Sequence, residues 1–265
     1  SAFCVKNGLN SLPTEPKIVA IYLTHLSSFS KYSTLKRRLA SINVIHKLKG
    51  HYIDTKHPII AENLMGIKRR MGVKQTAKKP LLINDLKSLI NVIDEEKNEY
   101  KKHQNRALIL IGFAGGFRRS ELVSIEYEDL DFVTEGVKII VKRSKTDQTG
   151  EGMIKAIPYF DNKIYCPVLS LKNWIDFSNI QSGLVFKISD KTVALTIKKY
   201  ALKAGLDKTK YAGHSLRSGF ATSTAEIGAD ERSIMAMTGH KTTQMVRRYI
   251  KESNLFKNNA LNKIK

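Results

Sequence analysis

The chain has 265 residues, and Lys plus Arg (45) outnumber Asp plus Glu (24), giving a formal charge of +21 and a pI of 9.9. An apolar fraction of 42% supports one large or two modest domains and argues against wholesale disorder. The cationic excess is spread along the chain rather than held in a tail. It points to a polyanionic partner (DNA, RNA or an anionic membrane surface), or to a basic ribosomal or heparin-binding protein. No apolar run reaches the roughly 18 residues of a membrane span, so no membrane insertion is expected. The start, Ser1-Ala2-Phe3-Cys4-Val5-Lys6, has no signal-peptide core and no methionine, which leaves open whether the chain is a fragment. Two cysteines, Cys4 and Cys166, are too few for a disulfide framework or a zinc cluster and fit a reducing cytoplasm.

The first 72 residues read as helical. Pro13 and Pro16 open a helix with Ile18, Val19, Tyr22, Leu23 and Leu26 on one face. Ser33 reads as the N-cap of a second helix running through Leu35, Leu39, Ile42, Ile45 and Leu48. Lys36, Arg37 and Arg38 lie in its first turn, where the positive helix end disfavours cations. An external anion would explain them, and a solvated face explains them equally well. A third helix, from about Ile59 to Arg70, ends in Lys68, Arg69 and Arg70. Residues 73–80, containing Lys74 and closed by Pro80, read as a linker.

From Leu81 the pattern changes. A helix is expected over 85–98, and another over 105–114, apolar nearly all round and therefore central. A short helix over 117–125 follows Gly115-Gly116. Val137–Val141 and Met153–Tyr159 read as a β-hairpin around the turn-rich 144–150, with 184–186 as a third short strand. Helices are expected over 167–178, 190–204, 215–227, 230–237 and 242–250. The tail, 254–265, has apolar residues at helical spacing suited to packing on a neighbouring protomer or on its own domain. The fold class is mainly α with a small antiparallel sheet.

The chemistry-bearing residues gather late in the chain. His214 and Arg217 are three apart, on one helix face, and can converge on one small anion. His240 follows a glycine, and Tyr249 follows within the next helix. Arginine, two histidines and a tyrosine in one short helical region suggest a phosphodiester clamp beside a hydroxyl nucleophile. Each has a plainer reading: His214 as a helix cap, His240 as a helix terminus, Tyr249 as core. Upstream, Arg118 and Arg119 are neighbours that point about 100° apart, so one of them faces a given pocket. Glu121 can hold Arg118 from the same face. Lys145, at the hairpin tip, is a candidate acid for a leaving alkoxide. Lys138, Lys142, Arg143 and Lys155 compete with it on spacing.

Gly116-Phe117-Arg118-Arg119-Ser120-Glu121-Leu122 resembles the G-L-R-x-S-E-L signature of tyrosine recombinases, the phage-integrase and Cre-like family. Gly213-His214-Ser215-Leu216-Arg217 resembles its H-x-x-R box, Thr238-Gly239-His240 its L-G-H element, and Ser144-Lys145-Thr146 its hairpin lysine. Tyr249 stands where the nucleophile should. The chain departs from the pattern at Met237-Thr238, where a leucine usually precedes Gly-His, and at Ser218, where a histidine is frequent.

The resemblance selects Arg118 over Arg119. It implies a helical core-binding DNA clamp over 1–72, lacking part of its first helix, a linker over 73–80 and a catalytic domain over 81–265 with a C-terminal oligomerisation segment. Lys36, Arg37, Arg38, Lys68, Arg69, Arg70 and Lys74 are then candidate DNA contacts. The implied mechanism has Arg118 and Arg217 on the non-bridging oxygens and Tyr249 attacking phosphorus to give a 3′-phosphotyrosyl bond. His214 accepts the phenol proton, Lys145 protonates the leaving 5′ oxygen, and His240 hydrogen-bonds the phosphate. No metal or other cofactor is called for. The implied partners are double-stranded DNA and three further protomers, a homotetramer on two duplexes, in the cytoplasm with the nucleoid. A type IB topoisomerase-like DNA relaxation activity and a non-catalytic DNA binder are the alternatives.

Overall fold

The computed structural model describes residues 2–72, 78–142, 152–240 and 242–253, with Asn262 and Ile264. The chain divides into two compact units, Ser1–Thr76 and Ala77–Lys265.

The first unit contains α1 (Ala2–Lys6), α2 (Pro16–Leu26), α3 (Tyr32–Leu48) and α4 (Pro58–Met71). Val19 and Leu23 of α2, Leu35 of α3, and Ile60, Leu64 and Ile67 of α4 form its core. Proline sits in the first turn of α2 and α4, where its missing N–H leaves no bond unmade. Ser33 is not the cap of α3. Lys31 holds that position without a side-chain hydrogen bond, and Ser33 is exposed in the first turn. The chain enters the helix earlier than the serine suggests, at the residues after Ser30. The short α1 has too few residues to show a periodicity and was not expected.

The second unit is built around α6 (Glu99–Ala114). Every residue from Ala107 to Ala114 is buried, as an all-round apolar helix requires. Around it pack α5 (Ile83–Asp94), α8 (Pro167–Ser178), α9 (Asp190–Lys203) and α10 (Ser215–Glu226), with the short α7 (Arg119–Val123) on the turn that follows α6. Trp174, Tyr200, Phe186 and Leu216 complete the core. The sheet runs β1 (Leu130–Val133), β2 (Gly136–Val141), β3 (Met153–Pro158), all antiparallel. The third strand is therefore β1, not 184–186, whose Leu184 makes a single bridge to Glu126. Val185 and Phe186 are apolar and buried while Leu184 is exposed, and the segment's backbone pairs at one bridge only. α11 (Glu231–Thr238) and α12 (Thr243–Ser253) close the unit against α10.

Residues 78–80, expected within a linker, belong to this unit. Lys78 Nζ donates to the Thr209 carbonyl at 2.5 Å, and the Lys79 N–H to that of Lys210 at 2.7 Å. The next residue on, Leu81, donates its N–H to the Ser215 carbonyl at 2.9 Å. Gly219 makes that docking possible. A Cβ there would stand 2.0 Å from the Leu81 carbonyl oxygen and 2.8 Å from its carbon, both backbone atoms with little freedom to yield. Gly219→Ala is expected to destabilise by about 2 kcal/mol or more, because overpacking outweighs alanine's helix preference. Thermal unfolding checks this; an unchanged midpoint would mean that the segment does not seat on α10.

Candidate active site

Four separate parts of the second unit meet at the N-terminus of α10. Gly115-Gly116 ends α6 and turns the chain so that Arg118 precedes α7. Glu121, one turn on, is buried and holds Arg118 twice. Its Oε2 accepts the Arg118 backbone N–H at 2.9 Å, and its Oε1 accepts the guanidinium. The first is a capping-box bond, and the second aims the arginine. Arg118 Nη2 reaches the Gly239 carbonyl at 3.4 Å. Arg119 goes elsewhere: its side chain crosses Gly213 towards Asp190, 3.6 Å away. The choice between the two arginines thus has a geometric basis.

Arg217, on α10, is 1% exposed. Its Nη1 donates to the Gly116 carbonyl at 2.8 Å, which ties α10 to the turn that carries Arg118. Its Nη2 is buried and finds no hydrogen-bond partner among the described residues. An unmatched donor on a buried cation is costly. Burial, then the neighbouring Arg118, pulls the Arg217 pKa down to about 10, against the pull of Glu121 and Tyr249.

His214 occupies the N-cap position of α10 but makes no side-chain cap bond, so the plain reading of it as a cap fails. It stands exposed at the edge of the cleft. Desolvation of the ring's inner side, followed by Arg217, Arg118 and Arg119, holds it below the usual histidine pKa, so it is neutral at physiological pH.

His240 follows α11, whose end is set by Gly239 in the left-handed conformation at φ 62°; a side chain there would be strained. Burial, then Arg217 and Arg118, pushes the His240 pKa down to about 4. Tyr249, on α12, lies beside it with ring centroids 6.1 Å apart at 37°. α12 is the same chain's own helix, packed on α10 and α11.

The candidate lysines separate by position. Lys145 and Arg143 lie outside the described residues. Lys138 faces Asp131 at 3.6 Å. Lys142 is held by Glu126 and Asp129, and Asp129 in particular raises its pKa. Lys155 is fully buried on β3. It donates to the Gly115 carbonyl at 2.6 Å and to that of Met237, and lies 4.6 Å from the Phe117 ring centroid. It therefore joins the turn before Arg118 to the helix before His240. Burial is the main cause of a pKa lowered to about 7; Arg217 and Arg118 add to it and Glu121 opposes it. Strand alternation could have found Lys155, because it shares a face with the buried Ile157. Thr238, whose hydroxyl meets His240 Nδ1 at 2.7 Å, gave no sequence signal beyond its departure from the L-G-H pattern.

Arg118, Arg217, His214, His240 and Tyr249 thus share one cleft, with Glu121 as its buried carboxylate. Such a cleft suits a single tetrahedral anion. A family model described as "Phage integrase family" matches residues 79–255. The chain belongs to the phage integrase family, whose members are tyrosine recombinases. This recombinase is 41% identical to an integrase/recombinase XerD homolog from Selenomonas ruminantium, over 100% of this chain and 81% of that protein. It is 30% identical to the tyrosine recombinase XerA of Pyrococcus furiosus, over 79% of this chain and 70% of that one. Among solved structures, the XerH site-specific recombinase bound to a palindromic difH substrate aligns at TM-score 0.68 and 18% identity, over 93% of this chain and 73% of that one. A lambda integrase dimer bound to a COC′ core site aligns at 0.61 and 15%, over 93% and 68%. These two likenesses concern the fold, mainly helical with the small sheet.

In the first unit of the recombinase, Lys36, Arg37, Arg38, Lys68, Arg69 and Arg70 are exposed. Arg38 lines a cavity of about 290 Å³ with Cys4, Tyr22 and His46, and Arg70 donates to Ser27 Oγ at 2.5 Å. Lys74 lies outside the described residues. Among the described residues, no helix is long and apolar enough to cross a membrane.

Proposed function

We propose that this recombinase cuts and rejoins duplex DNA through a covalent bond between Tyr249 and a 3′ phosphate. The observation that carries the reading is the buried Arg217 Nη2 without a partner among the described residues, close to Arg118 and to the buried Lys155. A non-bridging phosphate oxygen supplies the missing acceptor, and the second guanidinium takes the other oxygen. These fixed cations stabilise the charge added in the pentacoordinate transition state, so the reaction needs no metal. The Tyr249 oxygen bonds to phosphorus as the bond to the 5′ oxygen breaks. The phenol proton passes to His214, neutral and open at the cleft edge. Lys145 gives the 5′ oxygen its proton.

The phosphotyrosyl ester keeps the energy of the broken bond, so a 5′-hydroxyl from a second duplex rejoins the strand without ATP. Two cuts in each of two duplexes call for four protomers, with the tail around 254–265 as the segment that links them. Lys36, Arg37, Arg38, Lys68, Arg69 and Arg70 serve as backbone contacts of a DNA clamp formed by residues 1–72, joined by Lys74 from the segment that follows. Such work places the protein in the cytoplasm with the nucleoid.

Incubation with nicked duplex DNA, from which the cleaved end diffuses away, is expected to trap a protein–DNA adduct. Digestion and mass spectrometry should find it on the peptide carrying Tyr249, and sequencing of the captured ends gives the site. An adduct on another residue, or none on any DNA that the protein binds, would leave only a basic DNA-binding protein.

A further inference from the structure

Thr238 is 0% exposed, and its hydroxyl has two neighbours. Oγ1 lies 2.6 Å from the Ile234 carbonyl oxygen, one turn back in α11, and 2.7 Å from His240 Nδ1. A hydroxyl carries a single proton, and a carbonyl oxygen has none to give. The contact with Ile234 is a hydrogen bond only if the Thr238 proton lies along it. Oγ1 then turns a lone pair to His240, and an unprotonated Nδ1 at 2.7 Å would repel it. Nδ1 therefore carries a hydrogen, and Nε2 is the nitrogen left for the cleft shared with Arg118, Arg217 and Tyr249.

We propose that Thr238 is a positioning residue that locks neutral His240 in its Nδ1–H tautomer, so that Nε2 can donate to a substrate phosphate only after the ring has taken up a proton.

The surroundings explain how such a device works. Around His240 are Arg217 on α10 and His214 just before it, Arg118 just before α7, Lys155 from β3 and Tyr249 from α12, with Glu121 acting on Arg217, Arg118 and Lys155. Cations predominate, and the ring is neutral before substrate arrives. A phosphodiester adds negative charge at the place where Nε2 points, and favours the imidazolium. Phosphate binding and proton uptake are then linked, and Thr238 accepts from Nδ1–H in both states. The catalytic consequence rests on the recombinase reading; the tautomer does not.

The test uses the full chain with ¹⁵N-labelled histidine, at mildly alkaline pH and without DNA. Long-range proton–nitrogen spectra are expected to show His240 with a protonated Nδ1 and a bare Nε2, the resonance being assigned by its loss in His240→Gln. In Thr238→Val the population should move towards Nε2–H; Thr238→Ser should keep the wild-type pattern. A wild-type ring protonated at Nε2 overturns the proposal without recourse to any variant. Cleavage of the nicked substrate supplies the second readout. The ratio of the Thr238→Val rate to the wild-type rate should climb with pH, by up to roughly tenfold per unit above the pKa of His240 in the complex, while the Thr238→Ser ratio stays flat. A ratio independent of pH overturns the linkage. If the wild type forms no adduct at any pH but shows Nδ1–H, the tautomer stands and the recombinase reading falls.

Discussion

Replacing Arg217 by methionine is expected to slow adduct formation by about a thousandfold or more, with a melting temperature within a few degrees of the wild type. The rate term follows from position. In the proposed mechanism Arg217 offers the phosphate a buried donor, and its other nitrogen is already bonded to Gly116, so no reorganisation is needed when charge develops. Methionine fills a similar volume and donates nothing. The stability term is a difference between two opposed effects. Folding carries the guanidinium out of water, and burial pulls its pKa down to about 10. A base with a depressed folded pKa opposes folding at every pH below that value, here by on the order of 3 kcal/mol. Methionine removes that cost at any assay pH. It also leaves the buried Gly116 carbonyl without its partner, a loss of about 1–3 kcal/mol. The two nearly cancel, so activity and stability should separate. Adduct yield and thermal unfolding, measured on one preparation, check this; a collapse of both together would make Arg217 a strut rather than a phosphate ligand.

That near-cancellation bears on what the sequence could reveal. Elements whose burial follows from their own pattern were legible. The all-apolar stretch of α6 and the alternation of β2 and β3 gave position as well as type. β1 was not, because Leu130–Val133 is short and carries Asp131, and its strand state depends on pairing with β2. Segment 184–186 misled for the opposite reason, being apolar without a ladder. At the site, residue types and spacing singled out the cations and the phenol that the structure brings together. Spacing left the Arg118–Arg119 choice open, because the contact that draws Arg119 away, with Gly213 and Asp190, is made far along the chain. Thr238 was illegible because its part depends on the orientation of a single hydroxyl proton.

Mixing Tyr249→Phe with Arg217→Met should restore no adduct formation above the background of either variant alone. In this structure Tyr249 sits on α12, which packs on α10 of the same chain, and its ring lies beside that chain's own His240. We infer that the phenol acts in the site of its own chain. In a mixed assembly, a protomer with Tyr249 intact lacks Arg217, and one with Arg217 intact lacks the hydroxyl. No site then holds both. Delivery of the tyrosine to a neighbour would pair an intact phenol with an intact guanidinium at a fraction of sites, and the mixture would recover a corresponding share of the wild-type yield. Tyr249→Phe alone should bind DNA about as tightly as the wild type, because in the proposed mechanism the lost hydroxyl is the attacking group and the phosphate is held by charge. Equal binding by both variants in the mixture, with no adduct, keeps the nucleophile in its own site. Recovery of adduct would move it to the next protomer and reduce the α12 placement seen here to one of two positions of that helix.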